Sequence, residues 1–290
     1  MRPHTLTAAV MPVLIGTALA YSDGAFNLPL FASMMIASVI IQAAVNMFNE
    51  YFDYKRGLDS VDSVGIGGVI VHEELHEKTV FSIAVTFFSV AVVLGVYICA
   101  STSWWIAVIG SASMAVGYFY SAGKYPIAYT ALGEAASGLF MGPVIVLIAF
   151  FIQRNTITLP AVLLSIPISI LVGAILMANN IRDAEGDSKK GRKTLAILSG
   201  RKRAIGFLGW MFATTYFWTA FLVLFRVTTP WILLTVLAVP TATRSIRIFR
   251  AGSTSSEMMP AMKAASQLHT QFGVLFTIGI LLGKFLSAGH

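Results

Sequence analysis

The sequence predicts an all-α polytopic membrane protein: nine transmembrane helices in a single domain spanning 1–290, with the N-terminus cytoplasmic and the C-terminus outside. Three observations predict it. Hydrophobic residues make up 57% of the chain and charged residues 11%, where a soluble domain has roughly 45–50% apolar and about 25% charged residues. Apolar runs near the ~20 residues needed to cross a bilayer recur nine times along the chain. Lysine and arginine gather in alternate loops, the signature of a fixed membrane orientation.

The nine runs cover 6–21, 28–48, 79–100, 104–121, 132–152, 157–178, 204–225, 230–249 and 271–288. The first is short and has the outline of a weak signal peptide, with Arg2 before it and Ala18-Leu19-Ala20 at its end. A charged region of one residue and the internal Pro12 favour a retained first span instead. The second run passes directly into acidic sequence at Asn49, and a polar loop to Lys78 separates it from the third. The third holds Cys99, the single cysteine; with no partner thiol it forms no internal disulfide and is read as a small buried hydrophobe. Gly110, Gly117, Pro143 and Gly173 fall inside later runs, and such residues are tolerated in membrane helices. The sixth run ends in a second acidic stretch followed by a basic one. The last three runs alternate with short polar loops.

Placing successive loops on alternate sides tests this count. Of the 20 lysines and arginines, only Arg154, Arg226 and Lys284 fall on one side. The rest share a side with the N-terminus, which is therefore cytoplasmic. The formal net charge of +7 follows from this topology and does not imply a nucleic-acid partner.

Where the second and sixth runs meet polar sequence, an acidic motif occurs twice. The first copy is Asn46-x-x-Asn49-Glu50-x-x-Asp53, followed by Asp59; the second is Asn180-x-x-Asp183-x-Glu185-x-Asp187. Both copies share the spacing i, i+3, i+7, which stacks polar groups on one helical face. Carboxylates beside hydrocarbon are expensive and mark functional sites. Four crossings separate the copies, so both lie on the cytoplasmic side and can face one another. Oxygen ligands of this kind suit Mg²⁺, which keeps several waters and bridges to substrate phosphate.

The neighbouring residues fit a phosphate-bearing substrate. Arg182, Lys189, Lys190, Arg192 and Lys193 adjoin the second motif, where a base can grip the oxygens that metal leaves free. These bases also serve orientation and contact with anionic lipid. Gly65-Ile66-Gly67-Gly68 can bring backbone N–H groups close to an anion, or form a plain turn. A metal-bound diphosphate beside an apolar cavity points to ionisation of an allylic C–O bond. The resulting cation needs a dry pocket with aromatic faces. Tyr51, Tyr118, Tyr120 and Tyr125 lie near the cytoplasmic rim, where tyrosine is more often an interfacial belt residue.

His72-Glu73-Glu74-Leu75-His76 matches the H-E-x-x-H zinc-protease pattern. It lies in a polar loop rather than inside a spanning run, with only His4 and His269 as further histidine ligands before the C-terminal residue. The expectation is a short amphipathic helix at the membrane surface, not a zinc site.

The chain resembles the UbiA superfamily of intramembrane aromatic prenyltransferases, in particular its naphthoate-prenylating branch. The resemblance covers nearly the whole chain. It rests on Arg2-Pro3-His4-Thr5-Leu6, on 49–59 with its Asn49, Asp53 and Asp59, and on Gly65-Ile66-Gly67-Gly68. It continues through Pro126-Ile127-Ala128-Tyr129, Leu132-Gly133-Glu134, and the stretch from Asn179 through Asp187 to Lys193-Thr194-Leu195. Glu50 departs from the more usual Asp, Asp59 falls two residues later than in the hydroxybenzoate branch, and Tyr120-Ser121-Ala122-Gly123-Lys124 replaces a more common Tyr-Thr-Gly-Gly-Pro stretch.

The resemblance implies nine helices around a central cavity at a multi-pass, bacterial plasma-membrane enzyme whose site opens to the cytoplasm. It implies that Asn49, Asp53, Asp59, Asp183 and Asp187 bind Mg²⁺, two ions bridging the diphosphate. Arg56 and Lys193 would be basic partners of that diphosphate; Arg182, Arg192, Lys124 and Tyr120 are further candidates for substrate contact. The implied reaction joins a polyprenyl diphosphate to 1,4-dihydroxy-2-naphthoate, with loss of carbon dioxide and diphosphate, giving demethylmenaquinol. Membrane lipid is the implied surrounding, and no residue is assigned to the naphthoate carboxylate, for which Arg2, His4 and Lys124 are the candidates. Two other readings stand beside it: another aromatic acceptor such as 4-hydroxybenzoate, and a cation transporter. Transporters place their carboxylates near the bilayer midplane on broken helices, whereas these lie at cytoplasmic ends among bases.

Overall fold

The computed structural model describes residues 3–57, 69–70 and 75–287. The regular elements among them are all helical. In chain order they are α1 (Pro3–Ser22), α2 (Leu28–Lys55), α3 (Glu77–Ser101), α4 (Trp105–Phe119), α5 (Gly133–Leu139), α6 (Ile145–Arg154), α7 (Leu159–Lys189), α8 (Leu195–Ser199), α9 (Arg201–Leu224), α10 (Val239–Ala251) and α11 (Ser255–Ser287). A π-helical turn over Phe140–Val144, which contains Pro143, joins α5 to α6 as one rod. A 3-10 stretch, Pro230–Ala238, leads into α10.

Seven of these rods are long and apolar enough to cross a membrane: α2, α3, the α5–α6 rod, α7, α9, the rod ending in α10, and α11. The first and fourth apolar runs form shorter apolar helices. The 15 residues of α4 rise about 22 Å at ~1.5 Å per residue, less than the ~30 Å hydrocarbon core. Helix starts follow local capping chemistry. The Asn27 side chain accepts from Leu30 N at 3.1 Å, and Thr158 Oγ1 from Ala161 N at 3.3 Å. His76 caps α3 through Nδ1, which accepts from Lys78 N at 3.2 Å. That gives His76 a structural role; residues 71–74, with the rest of the H-E-x-x-H match, lie outside the described residues.

Three helices outrun the apolar segments read from the sequence. α2 and α7 continue past 48 and 178 to Lys55 and Lys189, carrying both acidic motifs on unbroken helix. α11 begins at Ser255 rather than near 271. Its opening turns bury Met258, Ala261, Met262, Ala265 and Leu268 while Lys263 stays exposed. That is an amphipathic stripe, which a hydropathy window passes over.

One continuous core joins α1, α6, α7, α9, α10 and α11 around Ile15, Phe150, Leu171, Leu208, Phe249 and Phe272. Small residues permit close helix approach, as expected where helices pack in lipid. A Cβ at Gly16 would overlap the Val146 carbonyl oxygen, and one at Gly142 would lie 2.5 Å from Ser169 Cα. A separate aromatic cluster ties α2 to α3 and α4, with the Phe48 ring 5.1 Å from both Phe88 and Tyr118.

A cavity of about 350 Å³ opens between α1, α2, α3, α4, the α5–α6 rod and α7. Helices α9, α10 and α11 contribute no residue to its lining; they spend their apolar faces on the main core. The cavity is therefore enclosed by the first seven helical elements rather than ringed by all of them.

Candidate active site

The cavity has a polar end and an apolar end. At the polar end stand Asn46, Asn49, Tyr120, Ser137 and Asn179; towards the other lie Met34, Ile98, Cys99, Ile106 and Ile148. Val92, Val96 and Trp104 line it and stay exposed, so α3 and the turn that leads into α4 border its open side.

The acidic motifs arrive at the polar end on two helix extensions. α2 stops where Gly57 takes a left-handed φ of +66°, the usual glycine-favoured helix stop. Its last turns carry Asn49 towards the loop after α4 and Asp53 towards the segment that follows α7. α7 is 31 residues long, about 46 Å at ~1.5 Å per residue, so its final turns project beyond the apolar slab with Asp183 and Asp187. Just past its end, Gly191 takes φ +78° and turns the chain so that Arg192 folds back.

Arg192 then bridges the two motifs. Its Nη2 donates to Asp53 Oδ1 at 2.9 Å and its Nη1 to Asp187 Oδ2 at 3.3 Å. The three side chains are largely buried, at 15%, 8% and 13% exposed respectively. Burial by itself would lower the arginine's pKa, but Asp53 and Asp187 outweigh it and hold the guanidinium protonated above its ordinary range. The Tyr129 ring lies under Arg192, 4.7 Å from Cζ to centroid, and under Arg56 at 5.2 Å. These are distances at which a ring face attracts a cation.

The remaining candidates separate into groups. Asn49 donates from Nδ2 to Ser121 Oγ at 3.1 Å. Arg56 donates to the carbonyls of Ser121 and Gly123 at 2.7 and 2.8 Å, pinning the loop after α4 onto α2. Asp183 pairs in two-pronged fashion with Arg182, whose Nη1 also points at the Met262 and Met259 sulfurs of α11. Arg182 is thus buried against α11 and turned from the cavity, while Asp183 keeps a partly exposed carboxylate. Lys193 and Lys124 are exposed at the rim, and Lys124 lies over the Tyr125 ring. Among the rim tyrosines only Tyr120 lines the cavity. Tyr51 and Tyr118 are absorbed into the aromatic cluster, and Tyr125 is 81% exposed. Asp59, the 65–68 glycine stretch and Arg2 lie outside the described residues, and the side chain of His4 is likewise not described.

Three contributors have no role in the sequence reading. Tyr129 supplies the ring beneath both guanidinium groups. Ser121 holds Asn49. Glu134, buried near the start of α5, accepts from Asn180 Nδ2 at 2.9 Å and so ties the first residue of the second motif to the α5–α6 rod. The signal for Glu134 was present: it is an acid in an apolar run. Glu50 also finds a specific use, accepting from Ile70 N at 2.9 Å.

The residues present fit a hard divalent cation. The slot between Asp53 and Asp187 already accommodates one cationic group, and carboxylate oxygens are the ligands such ions prefer. Among the described residues no three His, Cys, Asp or Glu side chains converge into a metal cage. An ion there must complete its shell with substrate oxygens and water, the usual situation for Mg²⁺.

An all-helical fold with two acidic helix ends over a side-opening apolar cavity defines an intramembrane prenyltransferase class, and the comparisons agree. The chain belongs to the UbiA prenyltransferase family, whose model matches residues 9–267. The 1,4-dihydroxy-2-naphthoate octaprenyltransferase of Bacillus subtilis is 49% identical to it, over 98% of this chain and 91% of that protein. The Escherichia coli protein of the same name is 26% identical, over 98% and 94%. Among solved structures, the apo UbiA homologue of Aeropyrum pernix K1 matches with a TM-score of 0.74 at 15% identity, over 97% of this chain and 98% of that one. The Archaeoglobus fulgidus homologue bound to DMAPP and Mg²⁺ matches at 0.66 and 15% identity, over 96% and 97%.

Proposed function

We propose that this protein transfers a polyprenyl group from polyprenyl diphosphate to 1,4-dihydroxy-2-naphthoate, releasing carbon dioxide and diphosphate and giving demethylmenaquinol for menaquinone biosynthesis. It works as a single domain in the bacterial plasma membrane. Its nine helices cross the bilayer, the N-terminus is cytoplasmic, the C-terminus is outside, and the site opens to the cytoplasm. Asp53, Asp187, Asp183 and Asn49, with Asp59, would hold Mg²⁺ together with the diphosphate. When bound, the metal neutralises charge on the leaving group.

The observation that carries the choice of acceptor is the chemistry of the cavity wall. No Asp, Glu, His, Lys or Arg lines it among the described residues. Prenylation at a C–H position, as on a hydroxybenzoate, must deliver a proton to a base. Attack from the carboxylate-bearing carbon needs none. The C1–O bond of the prenyl diphosphate breaks and its electron pair leaves with diphosphate. The ring carbon bonds to C1, and the bond to the carboxylate then breaks, returning its pair to the ring as carbon dioxide departs. A cavity with no base suits the second course. The relative at 49% identity, named for the same acceptor, supports it.

The chain's own residues supply placement and dryness. Tyr120 presents its phenol where the reacting groups meet. Arg192, Arg56 and Lys193 are the bases within reach of diphosphate oxygens. The cavity, at about 350 Å³, is near the low end of the roughly 300–1,000 Å³ typical of small-molecule pockets. It holds the bicyclic acceptor and the start of the tail, and the rest of the tail passes into lipid by the open side that α3 borders.

The test is turnover by purified protein in nanodiscs with a polyprenyl diphosphate, Mg²⁺ and either 1,4-dihydroxy-2-naphthoate or 4-hydroxybenzoate. Magnesium-dependent product and carbon dioxide from the naphthoate alone is the expected result. Product from the benzoate alone overturns the acceptor assignment, and product from neither overturns the reading.

A further inference from the structure

We propose that Arg192 is an internal counter-ion of the two acidic motifs. It holds the two acidic helix ends together until metal arrives, then exchanges its carboxylate partners for the diphosphate, so that metal and diphosphate bind as a coupled pair. This rests on the prenyltransferase reading above but adds a property that the reading does not contain.

Four features of the site carry it. First, the guanidinium occupies the slot between Asp53 and Asp187, bonded to both; a metal ion that uses these two carboxylates must displace it. Second, the arginine is incompletely satisfied there. Among the described residues its Nε is buried with no hydrogen-bond partner, which normally costs about 1–3 kcal/mol for a buried donor. A diphosphate, with many anionic oxygens, can use all of the guanidinium donors, and arginine forks match phosphate well. Third, a path for exchange exists. Arg192 follows Gly191, whose left-handed φ of +78° has open space around it, and its side chain rests on the flat face of Tyr129, over which it can slide while keeping its cation–π contact. Fourth, the backbone around it is anchored: Arg192 N donates to Asp187 O at 3.1 Å and Lys193 N to Tyr129 O at 2.8 Å. The exchange is therefore confined to the side chain.

The consequence is thermodynamic. Metal alone must evict a buried guanidinium into a site with no replacement anion, so it binds weakly. Diphosphate alone meets two carboxylates. Together each removes the other's obstacle, which is positive coupling between two ligands. The same contact keeps two facing acidic helix ends from repelling one another in the free protein.

The experiment is Mn²⁺ binding followed by electron paramagnetic resonance on protein in phosphatidylcholine nanodiscs, with and without inorganic pyrophosphate. Four proteins are compared: wild type, Arg192→Gln, Arg192→Lys and the control Lys263→Gln, at an exposed position of α11. In the wild type and the control, pyrophosphate should tighten Mn²⁺ binding about 5–150-fold, the usual span of coupling between sites. Arg192→Gln should bind Mn²⁺ alone at least several-fold tighter than wild type and lose most of the enhancement. Arg192→Lys keeps the charge but not the fork, so it should fall between the two, and it carries the test if the glutamine variant does not fold. Unchanged or weaker Mn²⁺ binding in folded Arg192→Gln, with the enhancement intact, overturns the inference alone. An equal gain in Lys263→Gln overturns it too, by reducing the effect to net charge. Failure of the wild type to bind Mn²⁺ even with pyrophosphate overturns the metal–diphosphate reading beneath it.

Discussion

Replacing Asp53 with asparagine separates the carboxylate's chemical role from its structural one. Its side chain is 8% exposed and lies 2.9 Å from the Arg192 guanidinium. Asparagine keeps the size and one acceptor oxygen, so the guanidinium keeps a charge-assisted hydrogen bond and loses only the opposite charge. The bond to the charged guanidinium survives, and the lost ion-pair attraction is partly offset by the lower desolvation cost of a neutral amide, which sets the structural loss on the order of 1 kcal/mol. Arg192 is not stranded, because Asp187 remains at 3.3 Å. The catalytic loss is larger. Metal supplies several kcal/mol of charge stabilisation in such reactions, and at ~1.36 kcal/mol per tenfold, a loss of about 4 kcal/mol lowers kcat/KM roughly 10³-fold. The expected variant is therefore folded and nearly inactive. Turnover is measured by chromatography of the quinone product, and folding by thermal unfolding in the same detergent. Turnover within threefold of wild type would refute the reasoning, and so would an activity loss matched by unfolding at the assay temperature.

Other consequences are as direct. EDTA should abolish turnover and excess Mg²⁺ restore it; activity that persists in chelator removes the metal from the site. His76→Ala should cost about 1 kcal/mol, the usual worth of an N-cap, lowering Tm while leaving turnover near wild type, alone or with His72→Ala. A large activity loss accompanied by stoichiometric zinc in the wild type reverses that reading. Gly142→Ala should destabilise by about 1–3 kcal/mol, as overpacking does, because its new Cβ meets Ser169 Cα at 2.5 Å. Gly110→Leu meets nothing within 4 Å of the new Cβ and points into the cavity, so it should keep Tm and lower turnover. An unchanged Tm for Gly142→Ala refutes the α5–α6 to α7 contact, and full turnover by Gly110→Leu refutes the cavity as the acceptor site.

Much of the fold was legible because membrane helices announce themselves by composition. Each apolar run is helical, and lipid forces the backbone to bond internally. The errors fall where helix continues without uniform apolarity. α2 and α7 run on into polar sequence, and α11 begins with an amphipathic stripe that averages to nothing in a hydropathy window. The site was legible in its acids, since carboxylates beside hydrocarbon stand out. It was less legible in its supporting groups. Tyr129 enters the sequence reading only as part of the Pro126-Ile127-Ala128-Tyr129 stretch, without a role, and Arg192 as one base in a basic run. Nothing local distinguishes Arg192 from Lys190 or Lys193, or shows that Arg182 would turn to Asp183 and the methionines of α11.

By itself the sequence determined the helical architecture, the family, and the placing of Asn49, Asp53, Asp183 and Asp187 on stacked helical faces. These follow from hydropathy and from the helix repeat, which are properties of neighbouring residues. Only the tertiary structure decided which groups meet. Arg192 reaches Asp53 across 139 residues of chain, Asn180 is held by Glu134 across 46, and among the described residues the cavity wall comes out without a base. Such contacts depend on how helices pack, and packing is set by the summed shape of many side chains, which no local pattern encodes.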